Sequence, residues 1–197
     1  AVMYTALQII NLGLAKITAS RVVQIAPPRT ALEVFCSEGY TAWKRGELAK
    51  RRWVFALEDD YPMALADTLV YSSDNRKYKY DLPTEALRPV RQRYTEWKQR
   101  GRALYSTESS LKVQLIMNVP EADFDPLFVD VLACRIAQEC VEFATQSAQK
   151  AERRDYGYKE AVSIAAKANA FVIGDTSKNG VVLSHNAQEI AQRNGWW

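Results

Sequence analysis

Only a few side chains in this sequence carry chemistry of their own, and their spacing limits what they can do together. His185 is the only histidine, so no second imidazole is available to complete a metal site of the usual kind. Cys36, Cys134 and Cys140 lie within apolar helical patterns, and the last two are six residues apart, a spacing that does not set them side by side on a helix. They read as small, reduced core residues. The acidic run Glu58-Asp59-Asp60 reads as a solvated loop and not as a catalytic pair. The sequence contains no glycine-rich phosphate loop, no Gly-x-Ser-x-Gly elbow and no His-Glu-x-x-His helix. The expectation is a non-enzyme with no catalytic residues, no metal and no cofactor.

What remains is chemistry of recognition. Two basic clusters stand out, Lys44, Arg45, Lys50, Arg51 and Arg52, then Arg88, Arg91, Arg93, Lys98, Arg100 and Arg102. Arginines beside Tyr94, Trp97 and Tyr105 could hold a phosphate backbone or stack bases. A net charge of only +3 argues for a more local use, as do charges that alternate with strand-core positions: solvated faces and ion pairs between subunits. Lys44, Arg45, Arg51, Arg52, Arg91, Arg93 and Arg100 are therefore expected at protein–protein contacts. The C-terminal stretch is the part least suited to a self-contained monomer. It ends in Gly195-Trp196-Trp197 after a run of polar residues, and a tryptophan can bury about 150 to 250 Å². Val181, Val182, Leu183, Ile190, Trp196 and Trp197 are expected to anchor a partner, the alternative being a tail folded back on its own helices.

These residues need elements to carry them. Hydrophobic residues make up 48% and charged residues 25% of the 197, an ordinary globular balance near the size of one domain. No apolar run reaches the roughly 18 residues of a membrane span, and the first residues lack a signal-peptide pattern, so a soluble protein made in a reducing cytoplasm is expected. The pattern predicts a short helix over 5–15 and a second over 29–52 with Leu32, Phe35, Tyr40, Trp43 and Leu48 inward. Gly39 and Gly46 each weaken that helix by about 1 kcal/mol, allowing a break or a close contact with a neighbour. Residues 54–75 look irregular. Four to six short antiparallel strands are expected over 66–119, with Gly101 in a hairpin between Trp97 and Leu104. Asp125 and Pro126 then mark a helix start, with Phe128, Val131, Leu132, Ile136, Cys140, Phe143 and Ala144 on one face and the opposite face wet. That helix is expected to end near Gln149. A turn at 150–157, a last helix from Tyr158 to about Ile173 capped by Gly174, and an arm over 175–197 complete the chain. The sum is an α+β protein: a bundle of about four helices (1–65 and 120–174), a β-rich antiparallel insertion (66–119) between the second and third, and an extended C-terminal arm.

Four motifs recur in order along these elements: Trp53-Val-Phe55, Tyr78-Lys-Tyr-Asp-Leu-Pro83, Gly101 to Leu104 in the hairpin, and Phe124-Asp-Pro-Leu-Phe128. Together they resemble the head-to-tail adaptor proteins of short-tailed bacteriophages, also called the tail tubular protein A or tail accessory group, over roughly Thr5 to Gly174. The resemblance implies a structural virion protein at the head–tail junction. Members form a dodecameric ring under the capsid portal protein, extend the DNA channel without specific DNA binding, present a platform to the tail nozzle protein, and grip the portal with C-terminal arms. It assigns 175–197 to portal docking and the basic residues above to ring or nozzle contacts. The alternatives are a nucleic-acid-binding module built on the basic, aromatic-interleaved strands, and a head-completion ring of a long-tailed phage.

Overall fold

The computed structural model describes residues 4–68, 75–90, 96–145 and 148–177. Along the chain come helices α1 (Ala6–Lys16) and α2 (Ala31–Lys50), then strands β1 (Leu57–Pro62), β2 (Leu65–Thr68), β3 (Tyr78–Asp81), β4 (Ala86–Val90), β5 (Trp97–Arg100), β6 (Ala103–Ser106) and β7 (Lys112–Met117). Helices α3 (Pro126–Thr145) and α4 (Ala148–Ser177) follow. The fold is α+β, with antiparallel sheets between the second and third of the four described helices, as the periodicity predicts.

Each of the first three helices starts where a side chain satisfies free amides. Thr5 and Thr30 form capping boxes with Gln8 and Glu33. The Asp125 carboxylate accepts from the Leu127 amide at 2.8 Å, and Pro126 occupies the first helical position, where its missing N–H costs nothing. α3 packs against α1, α2 and α4 and is therefore covered on more than the single face expected of it. Phe128, Val131, Leu132, Ile136 and Cys140 are fully buried, and Val129, Ala133, Cys134, Ala137 and Val141 are buried beside them. Phe143, expected in this core, is exposed and stacks on Phe35 with ring centroids 5.1 Å apart. Leu12 of α1 is also exposed.

The chain enters and leaves the β region through short 3-10 turns, Val54–Ala56 and Glu121–Asp123. Here Trp53 and Phe55 meet Phe124 and Phe128: Phe128 lies 5.0 Å from Trp53, 5.1 Å from Phe55 and 4.8 Å from Phe124 between ring centroids. Two motifs about seventy residues apart in sequence thus close on each other and fix both ends of the insertion to the bundle. The strands form a three-stranded sheet, β1-β7-β4, and a four-stranded sheet, β2-β3-β6-β5. Between them lies a second core of Met63, Tyr80, Leu82, Ala86, Leu104, Leu111, Val113 and Leu115. The β5–β6 hairpin turns at Gly101, whose φ of 57° is the left-handed conformation that favours glycine.

Three sequence expectations change. Residues 54–75 contain β1 and β2, so strand structure starts at Leu57 and the described strands number seven. The alternation was hidden because β1 is bulged: its pairing with β7 shifts between Glu58 and Tyr61, and Asp60 has a φ of 52°. The turn at 150–157 and the cap at Gly174 are both interior to α4, a single helix of 30 residues. Glycine disfavours a helix by only about 1 kcal/mol, and burial of Ala161, Val162 and Ala165 on α3 outweighs it. The glycines of α2 likewise do not break it: the Trp43 ring lies over Gly39, and Gly46 faces open space.

Candidate interaction surfaces

The segment from α2 to β1 carries a buried polar hub. Glu47 is only 3% exposed, and its carboxylate accepts from Lys50 Nζ at 2.6 Å and from the Tyr158 hydroxyl at 2.9 and 3.1 Å. Arg135 Nε approaches the same carboxylate at 4.0 Å and also pairs with Glu139. One buried anion therefore holds α2, α3 and α4 together. Burial alone would lower the Lys50 pKa, but its hydrogen bonds to Glu47 and Tyr158 hold it above the ordinary value. Burial likewise raises the Tyr158 phenol.

One turn further, Trp53 donates its indole N–H to the Glu47 carbonyl at 3.0 Å, which turns the chain across the end of α2. Asn169 of α4 then clamps this linker from outside: its amide donates to the Arg52 carbonyl at 2.6 Å and accepts from the Val54 amide at 2.9 Å. Two grooves flank the clamp. A basic one of about 280 Å³ is lined by Lys50, Arg51, Arg52 and Arg88 with Trp53 and Asn169. An apolar one of about 230 Å³ includes Val54, Phe55, Leu127, Ala168 and Val172 with the same Trp53 and Asn169.

The residues singled out from sequence divide three ways. Arg51 and Arg52 are exposed and come together, joined by Arg88 from β4. Arg45 is half-buried, and Lys44 is used inside the fold, ion-paired with Glu121 at 3.2 Å and 5.4 Å above the Phe124 ring. Arg100 lies on the other sheet, 5.5 Å over the Tyr105 ring. Arg91, Arg93 and the whole set Val181, Val182, Leu183, Ile190, Trp196 and Trp197 fall outside the described residues. Sequence reasoning missed the Glu47 hub and the Asn169 clamp, since a polar residue in a helix looks the same on paper whether it meets water or a neighbouring helix. It also missed the side of α4 on which Ile164 is 53% and Phe171 80% exposed, and the exposure of Val172 where it lines the apolar groove.

The three cysteines are buried and free, with Cys36 and Cys140 Sγ atoms 3.9 Å apart across α2 and α3. Among the described residues no three His, Cys, Asp or Glu side chains converge as metal ligands would, and no helix is long and apolar enough to cross a membrane. A scan against protein-family models finds no match for the chain, and a search of curated proteins finds none either.

Proposed function

We propose that this chain is a structural virion subunit, a ring-forming adaptor that joins the capsid portal protein to the tail nozzle protein and extends the DNA channel. It would be made in the host cytoplasm, assemble as a dodecamer at the head–tail junction, and let genomic DNA pass without specific binding. The observation that carries the reading is the outer face of α4. A phenylalanine 80% exposed, with Ile164 exposed two turns before it on the same side, presents apolar surface that a partner would remove from water, and residues 178–197, with their two tryptophans, follow this helix in sequence. Stable contacts of this kind bury at least about 1,000 Å² in total, so the arm and α4 would act together. The ordered motifs Trp53-Val-Phe55 and Phe124-Asp-Pro-Leu-Phe128, which meet at Phe128, give the resemblance a physical centre.

The test is the mass of the complex formed with the portal ring of the same virus, using the full chain and a chain ending at Ser177. Stoichiometric binding that matches portal symmetry and requires 178–197 is expected. No binding, with DNA retention that falls steeply with salt, would instead identify a nucleic-acid module.

A further inference from the structure

The three-stranded sheet has oppositely charged edges. Its order is β1-β7-β4, and among the described residues each outer strand pairs only with β7. Leu57 and Arg88 both oppose Ile116, so the edges stand two strand spacings apart, about 10 Å. On the β1 edge Glu58, Asp59 and Asp60 are all exposed, and neighbouring β2 adds Asp67 and the exposed Leu65. On the β4 side Arg88 joins Arg51 and Arg52 around the basic groove, whose lining contains no carboxylate. Lys50 is neutralised there by Glu47. The guanidinium groups of Arg51, Arg52 and Arg88 make no ion pair or hydrogen bond among the described residues, leaving three charges without a counterion. Across Trp53 and Asn169 this groove continues into the apolar one, where Val54 and Leu127 are exposed; its one carboxylate, Asp125, is engaged by the Leu127 amide at the start of α3.

We infer that this basic groove with its apolar extension receives the acidic β1–β2 edge of a second copy of the chain. The complement is present on the same sequence in both of its parts: carboxylates opposite guanidinium groups, and Leu65 opposite the apolar extension. Because groove and edge are different surfaces, the contact is heterologous, the kind that closes into a ring when its rotation divides a full turn. Backbone pairing between edges is discouraged on both sides, by the bulge at Asp60 and by Pro89 in β4, which has no N–H to donate. Side-chain charge is left to set the register. A net charge of +3 gives little overall field to draw in a polyanion, which favours a local partner over a nucleic acid. The inference rests on the ring reading above and supplies its contact.

Charge exchange tests it on the full chain. One variant carries Arg51→Glu, Arg52→Glu and Arg88→Glu, the other Glu58→Lys and Asp59→Lys; all five positions are exposed, and thermal melts check that both variants fold. Sedimentation velocity is run at about 50 mM and about 500 mM salt, where exposed charges are respectively felt and screened. The expected result is self-association of the unaltered chain at low salt that is lost at high salt. Each variant alone associates about tenfold or more weakly, and an equimolar mixture recovers association as alternating copies. An unaltered chain that stays monomeric together with a mixture that does not associate overturns the contact, as do variants that associate like the unaltered chain. A parallel arm uses a short DNA duplex: loss of duplex retention in the arginine variant with self-association intact would make phosphate the occupant and also overturn it. Portal binding by the same proteins separates the two readings, since a failed exchange with portal binding intact removes this contact alone. A working exchange without portal binding removes the adaptor reading alone.

Discussion

Alanine at Gly13, Gly39 and Gly46 should give three different results at three positions that helix propensity treats alike. Replacing a helical glycine by alanine is worth about 1 kcal/mol, which for a domain of this size raises Tm by about 2 to 4 °C. At Gly46 nothing lies within 4 Å of the added methyl, so Gly46→Ala should show that whole gain. At Gly13 the new Cβ would stand 2.8 Å from the Ala133 carbonyl oxygen and 2.9 Å from the Ile136 Cβ and Cγ2. Neither neighbour can yield cheaply, one being helix backbone and the other a β-branched side chain with a single favoured rotamer. Overpacking of this kind costs about 1 to 3 kcal/mol, and here it forces α1 away from α3. The net for Gly13→Ala is a loss of about 0 to 2 kcal/mol, a fall of up to about 8 °C, against a gain at Gly46. Gly39→Ala should be close to neutral: the methyl meets the Trp43 ring, which can swing aside but gives up its 5.6 Å contact with Phe35, worth about 0.5 to 1.5 kcal/mol. Differential scanning calorimetry with urea melts ranks the three. A Gly13→Ala chain as stable as Gly46→Ala would refute the close approach of α1 to α3 and with it the packing of the bundle.

Two further substitutions probe buried carboxylates. Glu47→Gln removes the anion shared by Lys50, Arg135 and Tyr158; because Lys50 is half-exposed and can regain water, the loss should be about 2 to 3 kcal/mol and not the 3 to 5 of a fully enclosed pair, and urea unfolding will show it. A change within 0.5 kcal/mol of zero would mean that the hub contributes no net stability. Glu33 accepts from the backbone amides of Arg29 at 2.6 Å, Thr30 at 3.1 Å and Val23 at 3.2 Å, which hold its pKa below the ordinary value near 4.5. A folded pKa below the unfolded one adds stability that is present above about pH 4.5 and lost as pH falls through the folded value. Thermal melts from pH 3 to 7 should therefore show a smaller acid loss for Glu33→Gln than for the parent.

The helices were legible where period and punctuation agreed. Asp125-Pro126 and the spacing of Phe128, Val131, Leu132 and Ile136 marked both the start and the inner face of α3. Leu111, Val113 and Leu115 likewise stand at alternate positions in the sequence, and all three are buried. What misled was local signal overruled by packing: Gly157 and Gly174 suggested boundaries, yet α4 runs through both, and at Gly157 the burial of Ala161, Val162 and Ala165 just beyond it supplies the reason. β1 was missed for the opposite reason, since a bulge breaks period two and its exposed face is acidic. The surface was the least legible part. Arg51 and Arg52 were visible as charge, but their meeting with Arg88 depends on β4 being an edge strand, and the clamp by Asn169 spans 117 residues to Arg52. No short window contains either relation.

The same long-range contacts bear on how a force applied at one end of such a subunit would be carried. α4 touches the linker through Asn169 and borders both grooves, while the linker is pinned from below by Trp53 and Phe55 against Phe128. Phe128 in turn belongs to the first core, and β1 begins immediately after the linker. A partner gripping α4 and a neighbour gripping the β1 edge would therefore act on one continuous packed path. Passing a signal along that path needs an element with two arrangements of similar energy. The described path offers the contrary: a fully buried phenylalanine among three aromatic rings, a carboxylate shared by three helices, and an amide satisfied on both its oxygen and its nitrogen. Each of these loses several contacts at once if displaced, so the physical expectation is a stiff unit that holds α4 and the β1 edge at fixed separation, which is what the proposed adaptor role would require.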